Sequence, residues 1–378
     1  MIYIILFIII SILTFIFGIY KNKSKMAFTF ISIIITFMSM FRYGSGTDYF
    51  AYMWHYNINP SSIFDSILYK SNMNIGYRVI MGISKEFNIS FEVFILCLSI
   101  IVCTIFFVTI AKNSYFPIMS LLVFYGVYFH IYVNSALRQG IAMAIFIWAL
   151  LYFYKNGKVV KYIIFIIIAS LFHYSVLITL MVPFLQYLYK KYFENYRVNI
   201  VLFMIGIASF IFGGEKVIVY LTNIFGISIG YEATGANILA ILLRIIMLLT
   251  IWILYRNSNK NLLTQFDKLC IYIYFINTIL FIAISNMSVL SRLTEYFSLL
   301  DIFIIPNLIS RCKFKIIKVG GILFVIILIV SVFIKDQYSF IEQGEYFNRK
   351  LLSYPYVTIF NKDDIYKYRN INSSYILR

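Results

Sequence analysis

Four arginines stand in or at the ends of long apolar runs: Arg42, Arg138, Arg244 and Arg292. A charge in that setting is costly, so each is a candidate for function. A guanidinium is planar and offers paired N–H donors, which suits a phosphate or diphosphate. Each also has a plainer reading, in which it snorkels to the interface or pairs with a neighbour. For Arg292 that neighbour is Glu295, three residues on and on the same helix face.

Asp48 is the acid best placed to act as a base or to orient a hydroxyl. It follows Gly44-Ser45-Gly46, a turn that lets backbone amides approach a ligand. Its plainer reading is a cap on the helix that follows. His173 lies inside a long apolar run, which favours the neutral imidazole. It suits a general base, a ligand for a hydroxyl, or a structural histidine. His55 and His130 are weaker candidates, and Glu92 and Asp301 read as structural. Metal chemistry has no signature. There is no Asp-x-Asp and no His-x-x-x-His, Asp363-Asp364 reads as a solvated pair, and Cys97, Cys103, Cys270 and Cys312 lack ligand spacing. No Gly-rich loop with a following lysine is present, which argues against a nucleotide-driven pump or a nucleotide-sugar enzyme. No metal and no cofactor are expected.

The elements that must hold these residues are transmembrane helices. The 378 residues are 62% hydrophobic and 12% charged, whereas a soluble domain is about half apolar and about a quarter charged. Apolar runs recur at about 1–20, 26–42, 91–111, 116–133 and 138–154, twice within 162–189, and at about 198–213, 237–255, 269–286, 291–311 and 319–334. Splitting 162–189 near His173–Ser175 keeps Lys190, Lys191 and Arg197 on the side where the other basic loops lie. The first run lacks the basic flank and cleavage site of a signal peptide and reads as a retained span. Of the 32 Lys and Arg, 17 fall in loops on one side, accompanied by only two acids, Glu194 and Asp267. That bias marks the cytoplasmic side and accounts for the net charge of +17 without nucleic acid.

The chain therefore reads as all-α: a polytopic membrane protein of about twelve transmembrane helices. Residues 1–334 form one transmembrane domain with an outer loop at 43–90, and 335–378 form a polar C-terminal tail. The outer face would carry a re-entrant or loop-lined site, onto which the four arginines, Asp48 and His173 converge. The segment 77–87 is amphipathic and suits the membrane surface.

Four segments together resemble a known family. Arg42-Tyr43-Gly44-Ser45-Gly46-Thr47-Asp48-Tyr49 with Tyr52 is similar to an Arg-x-x-x-Gly-x-Asp-x-x-Tyr segment of polysaccharide polymerases. Asn134 to Ala142 resembles their Arg-Gln-Gly helix start, Ala169 to Ser175 their Phe-His-x-Ser turn, and Ser291 to Phe297 their late Arg-x-x-x-Tyr-Phe segment. Order and spacing match along nearly the whole chain short of the tail. The family is the Wzy-like O-antigen and capsular polysaccharide polymerases, in the EpsG-type branch. One departure is Asn74-Ile75-Gly76-Tyr77, where the pattern has an acid before Gly-Tyr.

The resemblance implies a glycosyltransferase, with a GT-C-like architecture, at the outer leaflet of the bacterial plasma (inner) membrane, facing the outside or periplasm. Donor and acceptor would be glycans on undecaprenyl diphosphate, and the product a capsule, O-antigen or exopolysaccharide. Arg138, Arg244 and Arg292 would hold the diphosphate and Asp48 or His173 would be the base. Arg42 and Tyr49 would place lipid or sugar, with Glu295 beside them. Membrane lipid, a chain-length regulator and a flippase are the implied partners. The competing reading is a flippase for lipid-linked oligosaccharide. It would place the cations in a cavity reachable from both sides and would show repeat symmetry, which is not visible here.

Overall fold

The computed structural model describes residues 1–20, 25–211, 238–285, 288–344, 346–348 and 350–370. Among them every regular element is a helix, with three isolated backbone bridges. In hydrocarbon a chain must satisfy its backbone groups within each segment, and apolar runs of this length do so only as helices. Among the described residues seven helices are long and apolar enough to cross a membrane, and four shorter apolar ones accompany them.

The elements run in order as follows. Helices α1 (Ile2–Tyr20) and α2 (Lys25–Met40) lead to three short helices, α3 (Tyr49–Ile58), α4 (Ile63–Leu68) and α5 (Ile75–Glu86). Then come α6 (Phe91–Asn113), α7 (Pro117–Val123) continuing as a π-helix (Phe124–Val133), α8 (Leu137–Tyr152) and α9 (Val159–Ser170). A 3₁₀ segment (Tyr174–Met181) precedes α10 (Val182–Tyr192), α11 (Tyr196–Ile211) and α12 (Ile238–Asn257). The chain continues with α13 (Gln265–Ile284), α14 (Ser288–Ser298), α15 (Asp301–Ser310), α16 (Lys315–Gln343) and α17 (Ile365–Tyr368).

The described part forms two compact units. The first comprises Met1–Tyr174 and Ile322–Arg378, and the second Ser175–Gly321. In the first, α1 packs on α7, α2 on α6, α6 on α8, and α8 on α9. Its core is built from Leu121, Leu122, Phe124, Met143 and Phe146, all fully buried. The outward face of α1 is as apolar as its core face: Ile5, Ile8, Ile9 and Ile12 are exposed while Leu6, Phe7 and Ile10 are buried. Such a helix is at home in lipid rather than water. In the second unit α10, α11, α12, α14 and α15 pack on α13. The start of α13 is fixed by a capping box between Thr264 and Asp267.

Two departures from the sequence reading stand out, beside one break that it expects. The 43–90 loop is largely helical, and α5 turns Tyr77, Met81 and Gly82 into the protein and packs on α4. Over 162–189 the chain breaks where the sequence reading splits it: α9 stops at Ser170 and α10 begins only at Val182. The last long helix runs on to Gln343, with Asp336 and Gln337 buried, before the chain folds back over the first unit.

Candidate functional site

In the first unit one end of the helices gathers the sequence-predicted polar residues Arg42, Asp48 and Arg138. Arg42 follows the end of α2 and is 1% exposed. Its Nη1 donates to Ser39 O at 2.5 Å, Ser39 Oγ at 2.9 Å and Ser99 Oγ at 2.8 Å, and its Nη2 to Val133 O at 3.1 Å. It thereby ties α2 to α6 and to the last turn of the π-helix. Its Nε has no acceptor, and among the described residues it forms no ion pair. Arg42 is thus a buried cation held by neutral oxygens.

The turn after Arg42 is shaped by glycine. Gly44 and Gly46 have φ of +65° and +95°, in the left-handed region that L side chains resist. A Cβ on Gly46 would lie 2.5 Å from Asn134 O, so the turn rests directly on the end of the π-helix. Beyond it Thr47 N–H donates to Ser135 Oγ at 3.2 Å, and the two hydroxyls are 2.6 Å apart. Thr47 Oγ1 donates to Asp48 Oδ1 at 2.9 Å. Asp48 occupies the N-cap position of α3, yet its side chain makes no capping bond. The carboxylate is half-buried and oriented by a hydroxyl instead. Tyr49 is buried against Tyr43 and Phe91, and its hydroxyl has no partner among the described residues.

Arg138 lies in the first turn of α8, half-buried. Its Nη1 donates to Asn74 Oδ1 at 3.0 Å and to Asn72 O at 3.2 Å, and it lies against the Tyr52 hydroxyl. Asn74, where the polymerase pattern has an acid, is therefore the acceptor that orients Arg138 without cancelling its charge. Gly140 permits this geometry, because any Cβ there would collide with Tyr132 O. The π-helix ahead of α8 widens the backbone at this point, as such segments commonly do near sites. His55, in α3, is held below its ordinary value of 6.5 by burial and then by the charge of Arg138. His173 is half-buried just beyond α9, two residues from Leu171, whose carbonyl accepts from Gly76 N–H at 2.8 Å. His130 is 7% exposed among Tyr3, Tyr125 and Phe333, a core position.

These segments lie at one face. Met1 N donates to Tyr354 O, Tyr43 N to Val357 O, and Glu92 pairs with Lys362. The opposite end of α6, about 34 Å away at 1.5 Å per residue, carries Lys112 over the Tyr152 ring and Asn113 bonded to Lys155. That second face is the basic one.

The second unit holds its own polar cluster. Arg244 Nη2 pairs with Glu295 Oε1 at 2.5 Å, and Nη1 donates to Ser298 Oγ. Asn277 Nδ2 donates to the same hydroxyl at 3.1 Å, and the guanidinium lies over Phe281 at 4.8 Å. Arg292 is exposed on α14. Asp301 is buried at the start of α15. The other end of this unit is again basic, with Arg311 paired to Asp267 at 2.7 Å. Among the described residues no group of three or more potential metal ligands gathers.

A family model, the EpsG family, matches residues 25–356. The chain belongs to the EpsG family. It is accordingly a membrane protein of the polysaccharide-polymerase type, akin to Wzy-like polymerases. No curated protein and no solved structure matches it. In this EpsG-family chain the first two of the four sequence segments meet directly, through Gly46–Asn134 and Thr47–Ser135. The third straddles the two units: His173 belongs to the first, while Ser175 belongs to the second and lies 3.0 Å from the Tyr296 hydroxyl of the fourth. Arg42 and Arg138 thus share one unit, and Arg244, Arg292 and Glu295 share the other. Sequence reasoning missed Ser135, Asn74 and Arg369. Of these, Ser135 had a signal, lying inside a segment that carries the resemblance, and Asn74 marks the one departure from the family pattern.

Proposed function

We propose that the chain is a glycosyltransferase that joins lipid-diphosphate-linked oligosaccharide repeat units at the outer leaflet of the bacterial plasma membrane. The observation that carries this reading is the end of the first unit. There Arg138 is oriented by neutral oxygens, and Asp48 is oriented by Thr47, which is itself held by Ser135, three residues before Arg138 in the chain. A guanidinium on neutral acceptors and an uncapped carboxylate, both at this end of the unit, are what a diphosphate leaving group and an attacking hydroxyl need.

The donor is a growing glycan on undecaprenyl diphosphate. Arg138 binds the diphosphate and stabilises the charge that accumulates as it departs. Arg244 and Arg292 are the second unit's own cations for a diphosphate, with Glu295 holding Arg244. Asp48 or His173 takes the proton of the acceptor sugar hydroxyl as the new glycosidic bond forms. Arg42 contributes field and position from its buried seat, and Tyr49 offers a phenol to lipid or sugar. The departing diphosphate is stabilised by arginine, so neither a metal nor a nucleotide sugar is required. The face bearing Asp48 and Arg138 is opposite the basic one, which supports an outside or periplasmic orientation. Among the described residues, seven long and four shorter apolar helices, with α10 and its 3₁₀ lead-in, are the basis for reading about twelve crossings, and a GT-C-like arrangement belongs to the same proposal. The product is a capsule, O-antigen or exopolysaccharide, made alongside a chain-length regulator and a flippase.

The test is extension of purified lipid-linked repeat units by the purified protein and by Arg138→Ala. The expected result is a ladder for the parent and single units for the variant. A normal ladder from Arg138→Ala at normal protein level overturns the assignment. Translocation of the lipid-linked unit without extension would favour a flippase instead.

A further inference from the structure

The C-terminal segment is stitched to the turn that carries Asp48. Tyr43 N–H donates to Val357 O at 2.8 Å and Ile359 N–H to Phe41 O at 3.0 Å, bracketing a bridge between Arg42 and Thr358. Tyr356 Oη donates to Met38 O at 3.0 Å. Ile365 fills the space beside Gly44. At the end of this strap, residues 350–369, stands Arg369, 8% exposed. Its Nη1 donates to Gly44 O and to Gly46 O, both at 3.0 Å, and its Nη2 to Thr47 O at 3.3 Å. Its guanidinium lies 5.3 Å from the Phe50 ring centroid and 5.5 Å from that of Tyr346.

The glycine conformations of this turn aim three carbonyls in nearly one direction. Buried carbonyls without donors would be costly. One planar guanidinium answers all three, which a single ammonium cannot do with the same geometry. With its carbonyl fixed, Thr47 presents its N–H and hydroxyl to Ser135 and its hydroxyl proton to Asp48.

We propose that Arg369 is a positioning residue for Asp48, locking the 44–47 turn so that the strap is a working part of the acceptor side of the site. The role of Asp48 rests on the proposed function; the lock itself does not. The EpsG match ends at residue 356, so Arg369 and most of its stitching lie beyond it.

The experiment compares the full chain with Arg369→Ala, Arg369→Lys and Asp48→Ala in nanodiscs. Three quantities are read: deuterium exchange at the 43–47 amides, repeat-unit turnover, and undecaprenyl diphosphate bound per protein. For Arg369→Ala we expect exchange to rise and turnover to fall, each by about tenfold or more, since a loss of about 1.4 kcal/mol is tenfold. Bound undecaprenyl diphosphate should stay within about twofold, because a tenfold change would need that same energy in binding. Arg369→Lys should fall between. Parent-like exchange and turnover overturn the proposal. So does a loss of turnover that follows the loss of undecaprenyl diphosphate binding one for one, which marks damaged folding. If Arg369→Ala does not accumulate, Arg369→Lys decides on the same readouts; if neither accumulates, Arg369 serves folding and the positioning role fails. Normal turnover in Asp48→Ala would remove the role assigned to Asp48, and the exchange data would still decide whether Arg369 locks the turn.

Discussion

Gly46→Ala is the sharpest test of how the turn positions Asp48. Gly46 has φ of +95°, and an added Cβ would sit 2.5 Å from Asn134 O, 3.1 Å from Asn134 C and 3.2 Å from Ser135 Cα. Real Cβ atoms stay beyond 3.0 Å, so the turn and the π-helix end must part by at least 0.5 Å, the difference between 3.0 and 2.5. All three atoms are backbone, so no rotamer can absorb the shift. The left-handed conformation costs an L residue about 1–2 kcal/mol, and overpacking costs about 1–3 kcal/mol more. Displacement by 1 Å can cost about 10²-fold in rate, so half that displacement points to roughly tenfold. The assay is repeat-unit extension per mole of folded protein, with thermal unfolding measured in parallel. Gly320→Ala is the control, because nothing lies within 4 Å of its Cβ position. We expect Gly46→Ala to lower turnover by about tenfold or more and to lower the melting temperature, with Gly320→Ala unchanged. Turnover within about twofold of the parent, alongside a lowered melting temperature, would refute the link between the turn and the chemistry.

Further expectations follow from the same contacts. Asn74→Asp keeps an acceptor 3.0 Å from Arg138 but adds a charge. Two unit charges about 4 Å apart interact by about 4 kcal/mol at an effective dielectric of 20, and half-exposure should cut that to about 1.5 kcal/mol. Undecaprenyl diphosphate should therefore bind about tenfold more weakly by calorimetry. Glu295→Gln removes the partner of Arg244. Breaking a fully buried pair costs about 3–5 kcal/mol. Both side chains keep about a fifth of their exposure, so a loss near 2 kcal/mol is expected as a lowered melting temperature in detergent. His55 sits below its ordinary value of 6.5, so the folded state favours its neutral form. The stability this contributes is full above 6.5 and is lost as pH falls below it. Unfolding scans from pH 7.5 to about 5 should show that decline, and His55→Gln should flatten it.

Much of this architecture is legible in the sequence because lipid leaves few choices. Apolar runs become helices, and the lysines at their ends mark one face. The break after Ser170 is also legible, since one long span would strand Lys190 and Lys191 on the wrong side. Contacts over long separations are not. Arg42 looks like a ligand-binding cation at a helix end, yet its partners Ser99 and Val133 lie 57 and 91 residues away. Asn74 looks like a lost acid, and its value appears only when Arg138 is seen to donate to it across 64 residues. Arg369 carries no signal, because in a polar segment a cation costs nothing and so attracts no notice. Gly46 and Gly140 are visible as glycines, but not as places where two backbones touch.

The arginines differ most in what already neutralises them. Arg244 has Glu295 at 2.5 Å, so an anion arriving there must compete with a carboxylate. Arg369 is spent on three carbonyls. Arg42 is bound by neutral oxygens but is almost wholly enclosed, so it can attract an anion without touching it. Arg138 alone combines neutral partners among the described residues, partial exposure and a position beside the Asp48 turn. A diphosphate replaces water around a half-exposed cation at lower cost than it displaces a carboxylate from an ion pair. On these grounds the diphosphate should be held first by Arg138. An anion would reach Arg244 only if its pairing with Glu295 loosens. Glu295→Gln should then leave undecaprenyl diphosphate binding unchanged or tighter while lowering stability. Weaker binding in that variant would mean that the pair itself shapes the diphosphate site.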